Sequence, residues 1–91
     1  MPRSRVRNQD AARFGEIVNA LRVKRGWTLA DVARASGMHA TYLGLLERGE
    51  NVPTLTTILR LARTFGISAA DLLREVERAA EEAAARAARL G

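Results

Sequence analysis

Apolar positions recur along most of the chain at spacings of three and four. Phe14, Ile17, Val18 and Leu21 fall on one face of a first helix. Asp10 is its expected N-cap. Arg22, Lys24 and Arg25 cluster in its last turns, and Gly26 ends it. Thr28 with Asp31 three residues later forms a capping box for a short second helix, Leu29 to Ser36, which buries Val32 and Ala33 and stops at Gly37. A third helix is expected over roughly His39 to Arg48, with Leu43 and Leu46 facing inward, ended by Gly49. Thr54 caps a fourth that carries Leu55, Ile58, Leu59, Ala62 and Phe65 up to Gly66. Ser68 caps a fifth, which meets no stop signal before Gly91. No stretch alternates apolar and polar residues with β-branched enrichment, so the fold class is all-α with five helices.

From residue 73 the fifth helix carries Leu73, Val76, Ala80, Ala83, Ala87 and Leu90 at heptad spacing. The seam is mostly alanine. Arg78–Glu82 and Glu82–Arg86 stand at i,i+4 on its other faces. Two readings stay open here: a high-propensity helix that frays, or a helix that forms dimers. The expected organisation is a flexible basic arm over 1–9, a domain over 10–73, and an Ala/Arg/Glu-rich extension over 74–91.

Residues 28–48, TLADVARASGMHATYLGLLER, are the informative part. Two short helices joined by a few residues with a glycine must cross steeply to bury both inner faces. Ala33 suits a close crossing and Gly37 a left-handed turn. These are the spatial demands of a helix-turn-helix, which leaves the N-terminal end of the third helix projecting.

Composition narrows the chemistry. The 91 residues carry a net charge of +5, no cysteine and one histidine, His39. Thiolate metal sites, disulfides and cysteine nucleophiles are excluded, and an imidazole zinc site is not expected. No Ser–His–Asp spacing, phosphate-binding glycine loop or catalytic carboxylate pair occurs, so neither an enzyme nor a cofactor is expected. No apolar run has the length of a membrane span and no secretory segment is present, which points to a soluble, cytoplasmic protein. Residues 1–63 hold 11 of the 15 Lys/Arg and a net +6, whereas residues 64–91 are net −1. A basic front two thirds suits phosphate backbones.

The chain resembles the Cro/C1-type (XRE-like) helix-turn-helix family of phage repressors and small bacterial regulators. The likeness rests on LRVKRGWTL at 21–29, DVARASG at 31–37, TYL at 41–43, ERG at 47–49, PTL at 53–55 and LARTFGIS at 61–68, in that order and spacing. The stretch SGMHATYLGLLERGEN most resembles controller-type regulators of restriction–modification systems. The resemblance implies a lambda repressor-like five-helix domain that binds double-stranded DNA as a homodimer on a near-palindromic operator.

Residue by residue, it implies a structural ion pair between Arg22 and Glu47. It places a phosphate contact at Thr28 and base readers at His39, Ala40, Thr41 and Tyr42, with Leu45 one turn on. Arg48 and Asn51 follow at the end of that helix and in the next loop. The family's usual Gln after Thr28 is Leu29 here. Ala40 stands where related controllers tend to carry Arg, so a bidentate grip on guanine, about 1–3 kcal/mol of discrimination, is missing. Phosphate contacts and DNA shape are therefore expected to outweigh base hydrogen bonds. Tyr42 could equally pack against helix two, Trp27 occupies a packing position, and Gly44 would permit close backbone approach. A second reading is a protein-interaction module, an antitoxin or adaptor that uses the apolar third helix, with Tyr42 and an exposed Leu45, and the alanine seam of the C-terminal helix. No effector domain follows residue 73, so no small-molecule effector is expected.

Overall fold

The computed structural model describes residues 8–90. Five helices follow in order: α1 (Gln9–Lys24), α2 (Leu29–Ser36), α3 (Ala40–Glu47), α4 (Leu55–Phe65) and α5 (Ala69–Leu90). The described residues contain no strand. Of the arm expected over 1–9, positions 1–7 lie outside the described residues, Asn8 caps α1 and Gln9 is the first residue of α1. The cap of α1 is Asn8, not Asp10: the Asn8 side chain accepts a hydrogen bond from the Ala11 N–H at 2.9 Å. Asp10 instead sits in the first turn, where a carboxylate suits the helix dipole.

Thr28 and Asp31 close the expected capping box, and Gly37 ends α2 at φ 78°. Thr54 accepts from the Thr57 N–H at the start of α4. Ser68 accepts from the Asp71 N–H at the start of α5. The core consists of Phe14, Val18, Val32, Leu43, Leu46, Leu61, Ala62, Phe65 and Leu72, so every helix contributes to it. Trp27 is half-buried at its edge and stacks on Phe65, with ring centroids 5.7 Å apart.

The tightest crossing lies between α1 and α3, at Gly15. A Cβ there would overlap the Leu46 carbonyl oxygen and come within 2.7 Å of the Glu47 carbonyl oxygen. Gly49, at φ 75°, lies against Ala12 of α1 just beyond α3. Two glycines thus let α3 and the turn after it press onto the α1 backbone.

On α5, Leu72 is fully buried, Val76 packs on the core, and Ala80 and Ala83 are half-buried. Ala87 and Leu90 are exposed. The ion pairs on this helix are Arg74–Asp71 and Arg78–Glu75, both at i,i+3 rather than the expected i,i+4. No described helix is long and apolar enough to cross a membrane.

Candidate DNA-binding surface

The site is built around α3, a helix of eight residues. In isolation a helix shorter than about 12 residues is marginal in water, so tertiary contacts must hold this one. At its C-terminal end, Glu47 accepts from Arg22 Nε at 2.7 Å, Arg22 Nη2 at 3.0 Å and Asn19 Nδ2 at 2.9 Å. The remaining Arg22 nitrogen, Nη1, donates to the Trp27 carbonyl at 2.9 Å. The hydrogen bond to Glu47 raises the Arg22 pKa above its ordinary value. Side-chain exposure is only 16% for Arg22 and 8% for Glu47, so the pair is shielded and removal of one partner is costly. Leu43 and Leu46 anchor the inner face.

Gly44 is buried. A Cβ there would meet Arg48 Nη1 at 3.3 Å and Leu29 Cδ1 at 3.7 Å. The close approach at Gly44 is therefore filled by the first residue of α2 and by Arg48, which corrects its reading as an opening toward DNA. It also accounts for Leu29: an apolar side chain at that position seats α2 against α3.

The N-terminal end of α3 is different. Every other helix has a side chain that caps it: Asn8, Thr28, Thr54 and Ser68. The α3 cap is His39, whose side chain makes no cap hydrogen bond. His39 lies just outside the helix, not within it as the spacing suggested. The first intrahelical bond is Leu43 N–H to the His39 carbonyl at 3.0 Å, so the amides of Ala40, Thr41 and Tyr42 keep no helical partner. No acid stands in this first turn, and the positive end of the dipole is uncovered. His39 and Thr41 are exposed and Ala40 half-exposed.

The other predicted residues fall less simply. Thr28 is exposed, but its hydroxyl oxygen accepts from the Asp31 N–H at 3.0 Å and so acts first as a cap. Asp31 in turn accepts from the Thr28 N–H at 2.8 Å, and this bond holds its carboxyl below the ordinary range. Tyr42 is half-buried and packs on the core, with its hydroxyl 3.3 Å from Thr57 Oγ1. Its hydroxyl is thereby tied to α4. Leu45 is half-buried, not exposed, which weakens the protein-module reading. Arg48 is exposed and pairs with Glu50 at 3.1 Å. An open pair of this kind is worth about 0.2–1 kcal/mol, so Arg48 can exchange Glu50 for a phosphate. Asn51 is half-buried in the loop that follows.

Three further cations are engaged within the fold. Arg13 pairs with Asp10, and Arg34 with Asp31. Arg25 donates to the Phe65 carbonyl at 2.8 Å and lies over the rings of Trp27 and Phe65 at 5.4 and 5.2 Å. The sequence placed Arg25 in the last turns of the first helix but gave no sign of this latch.

A capped α2, a glycine turn, and an α3 held at its base and open at its tip define a helix-turn-helix of the DNA-binding kind. Comparison with known proteins agrees. A helix-turn-helix family model matches residues 18–72, more than half of the chain. The chain is 45% identical over 62 residues to the HTH-type transcriptional regulator DdrOP3 of Deinococcus deserti, which covers 68% of this chain and 48% of that protein. It is 38% identical over 60 residues to the HTH-type transcriptional regulator SutR of Escherichia coli, which covers 65% of this chain and 34% of that one. The chain thus spans about half or less of the length of these relatives.

Among solved structures, the restriction–modification controller protein C.AhdI from Aeromonas hydrophila superposes with a TM-score of 0.68 at 32% identity, covering 71% of this chain and 98% of that one. The clp gene regulator ClgR from Corynebacterium glutamicum superposes at 0.71 and 30% identity over 86% and 88%. The chain belongs to the Cro/C1-type (XRE-like) helix-turn-helix family of transcriptional regulators.

Proposed function

We propose that this chain is a sequence-selective transcriptional regulator that binds double-stranded DNA as a homodimer, with the tip of α3 in the major groove. The observation that carries this reading is the contrast along α3. Its base is fixed by Glu47, Leu43 and Leu46, whereas its first turn has free amides, no cap bond and exposed His39 and Thr41. His39, Ala40 and Thr41 meet base edges, Ala40 by methyl contact with thymine. Thr28, Arg48 and Asn51 meet phosphates, and Tyr42 and Leu45 support the reading edge. Few base hydrogen bonds are available from this set, so phosphate contacts and DNA shape dominate.

The dimer contact uses the apolar surface formed by the α3–α4 loop, α4 and α5. Val52 is 61% exposed and Leu55 70%, and Leu59 and Leu73 are each 39% exposed. A cleft of about 260 Å³ lies beside them, between Val52, Pro53, Ile58, Leu73 and Val76 on one side and the start of α1, with its polar Asn8 and Asp10, on the other. Two copies joined there would present their α3 helices to successive major grooves, about 34 Å apart, on a near-palindromic operator.

Titration of genomic DNA fragments with the protein at two salt concentrations tests the DNA reading. Absence of binding at low salt would refute it. So would a large operator preference that rests on base hydrogen bonds and persists unchanged at high salt, as far as the shape-dominated mode is concerned. Sedimentation of Leu55→Asp tests the interface: a variant that stays dimeric excludes that surface.

A further inference from the structure

A second polar site lies away from the α3 tip, between the last turn of α2 and the C-terminal half of α4. It is a cleft of about 310 Å³ lined by Ala35, Ser36, Arg60, Arg63 and Thr64. Arg60 and Arg63 are exposed and lie one turn apart on α4. Neither forms an ion pair with a described residue, in contrast to Arg13, Arg22, Arg34 and Arg48. Arg63 in the last turn of α4 favours the helix dipole, but Arg60, a turn earlier, has no such role. The hydroxyls of Ser36 and Thr64 join the two guanidiniums. The Ser36 oxygen accepts from the Met38 N–H at 3.2 Å, and Thr64 donates to the Arg60 carbonyl at 2.9 Å, so both hydroxyl groups are held in place beside the cations.

We infer that this cleft docks an acidic segment of a partner protein, two neighbouring carboxylates pairing with Arg60 and Arg63. Charge complementarity selects an anion, and position selects a protein over the DNA backbone. α2 runs from Thr28, at the DNA-facing end in the reading above, to Ser36 at the cleft. Eight residues at 1.5 Å each put roughly 12 Å of helix between the two ends. A duplex backbone needs an extended cationic track, whereas this is a confined pair of cations on one turn of helix. Two cations one turn apart match two carboxylates at helical or adjacent spacing, and bidentate guanidinium–carboxylate geometry supplies selectivity over a lone charge. Separation from the DNA rests on the α3 reading, but the cleft and its charge do not.

The test uses the full chain, isotopically labelled for amide chemical shifts, and an acetylated hexaglutamate peptide as probe at low salt. The peptide is expected to move the amides of Ala35, Ser36, Arg60, Arg63 and Thr64. Replacement of either arginine, Arg60→Gln or Arg63→Gln, is expected to weaken binding about fivefold, as for an exposed ion pair. The double variant is expected to bind duplex DNA as the parent does, with the same salt dependence. Shifts that are absent from the cleft, or that spread equally to Lys24 and Arg48, overturn the proposal. So does a double variant whose DNA affinity drops with a salt slope smaller by about 2, which assigns the two arginines to phosphates. Titration of the parent with duplex judges the DNA reading separately.

Discussion

Replacement of Gly15 by alanine sets two effects of opposite sign against each other. Gly15 lies in the interior of α1, where alanine is favoured by about 1 kcal/mol because glycine loses more backbone entropy on folding. Intrinsic propensity alone therefore forecasts a more stable protein. Packing forecasts the reverse. The new methyl would overlap the Leu46 carbonyl oxygen and stand 2.7 Å from the Glu47 carbonyl oxygen and 2.9 Å from its carbon. All three are backbone atoms, so no rotamer change relieves the clash and the two helices must separate. Separation loosens Phe14 and Val18 of α1 against Leu43 and Leu46 of α3, all buried. Overpacking typically costs about 1–3 kcal/mol and occasionally more, and a main-chain obstruction puts this site at about 3 kcal/mol or above. After the propensity gain, the expected net loss is about 2 kcal/mol or more.

Urea unfolding followed by the fluorescence of Trp27, the only tryptophan, measures it directly. In a domain of this size each 1 kcal/mol moves the melting temperature by roughly 4–8 °C, so the shift is large. The same displacement moves α3 relative to the scaffold, so DNA affinity should fall even at temperatures where the variant is fully folded. A Gly15→Ala variant as stable as the parent, or more stable, would refute the claim that α1 and α3 meet backbone to backbone at this point.

Three further outcomes follow from the same geometry. Glu47→Ala leaves the Arg22 guanidinium shielded without its carboxylate, and should cost about 2–4 kcal/mol by thermal or urea unfolding; a loss below about 1 kcal/mol would mean that water replaces the pair without penalty. Asp31, held below the ordinary carboxylate range chiefly by the Thr28 N–H, contributes stability that is present above its unfolded pKa and is lost as pH falls through the lower folded value. Asp31→Asn should flatten the acid side of the stability profile below roughly pH 4, and an unchanged profile would argue against the capping box. Tyr42→Phe removes the hydroxyl 3.3 Å from Thr57 and should destabilise by about 0.5–1.5 kcal/mol with little change in DNA affinity; the reverse pattern would show the hydroxyl facing DNA.

The sequence was most legible where local chemistry decides the structure. Thr28 with Asp31, Thr54, Ser68, Gly37 and Gly66 announce helix ends through caps that each residue makes within its own turn. Choice between two nearby cap candidates was less legible: Asn8 and Asp10 both have the chemistry, and Asn8 caps α1. Long-range packing was legible mainly through the family resemblance, which implied the Arg22–Glu47 pair that the structure shows at 2.7 Å; the remaining long-range contacts were not. Gly15 looks like a weak point in a helix until α3 is brought against it. The hydroxyl of Tyr42 could have turned several ways, and Thr57, fifteen positions later, takes it. Charge was legible in sum but not in allocation. Arg25 goes to Trp27 and Phe65, Arg48 to Glu50, while Arg60 and Arg63, single charges on a patterned helix, form the cationic pair at the α2–α4 cleft.

These allocations divide α3 into two ends with different consequences for change. Its C-terminal end is held only from outside the helix, by the Gly15 crossing, by Arg22 and Asn19 on Glu47, and by Leu29 over Gly44. A helix of eight residues has too few internal bonds to hold itself, so every one of those contacts sets both stability and the aim of the helix. Its N-terminal end has no side-chain cap and no acid in its first turn, so His39 and Thr41 can change with small effect on folding. Substitutions at the two ends should therefore separate in a plot of stability against DNA affinity. Changes at Gly15, Arg22 or Glu47 lower both together, whereas changes at His39 or Thr41 alter affinity alone. On the proposed DNA reading, an edge without side-chain caps can vary what it recognises without rebuilding the support beneath it.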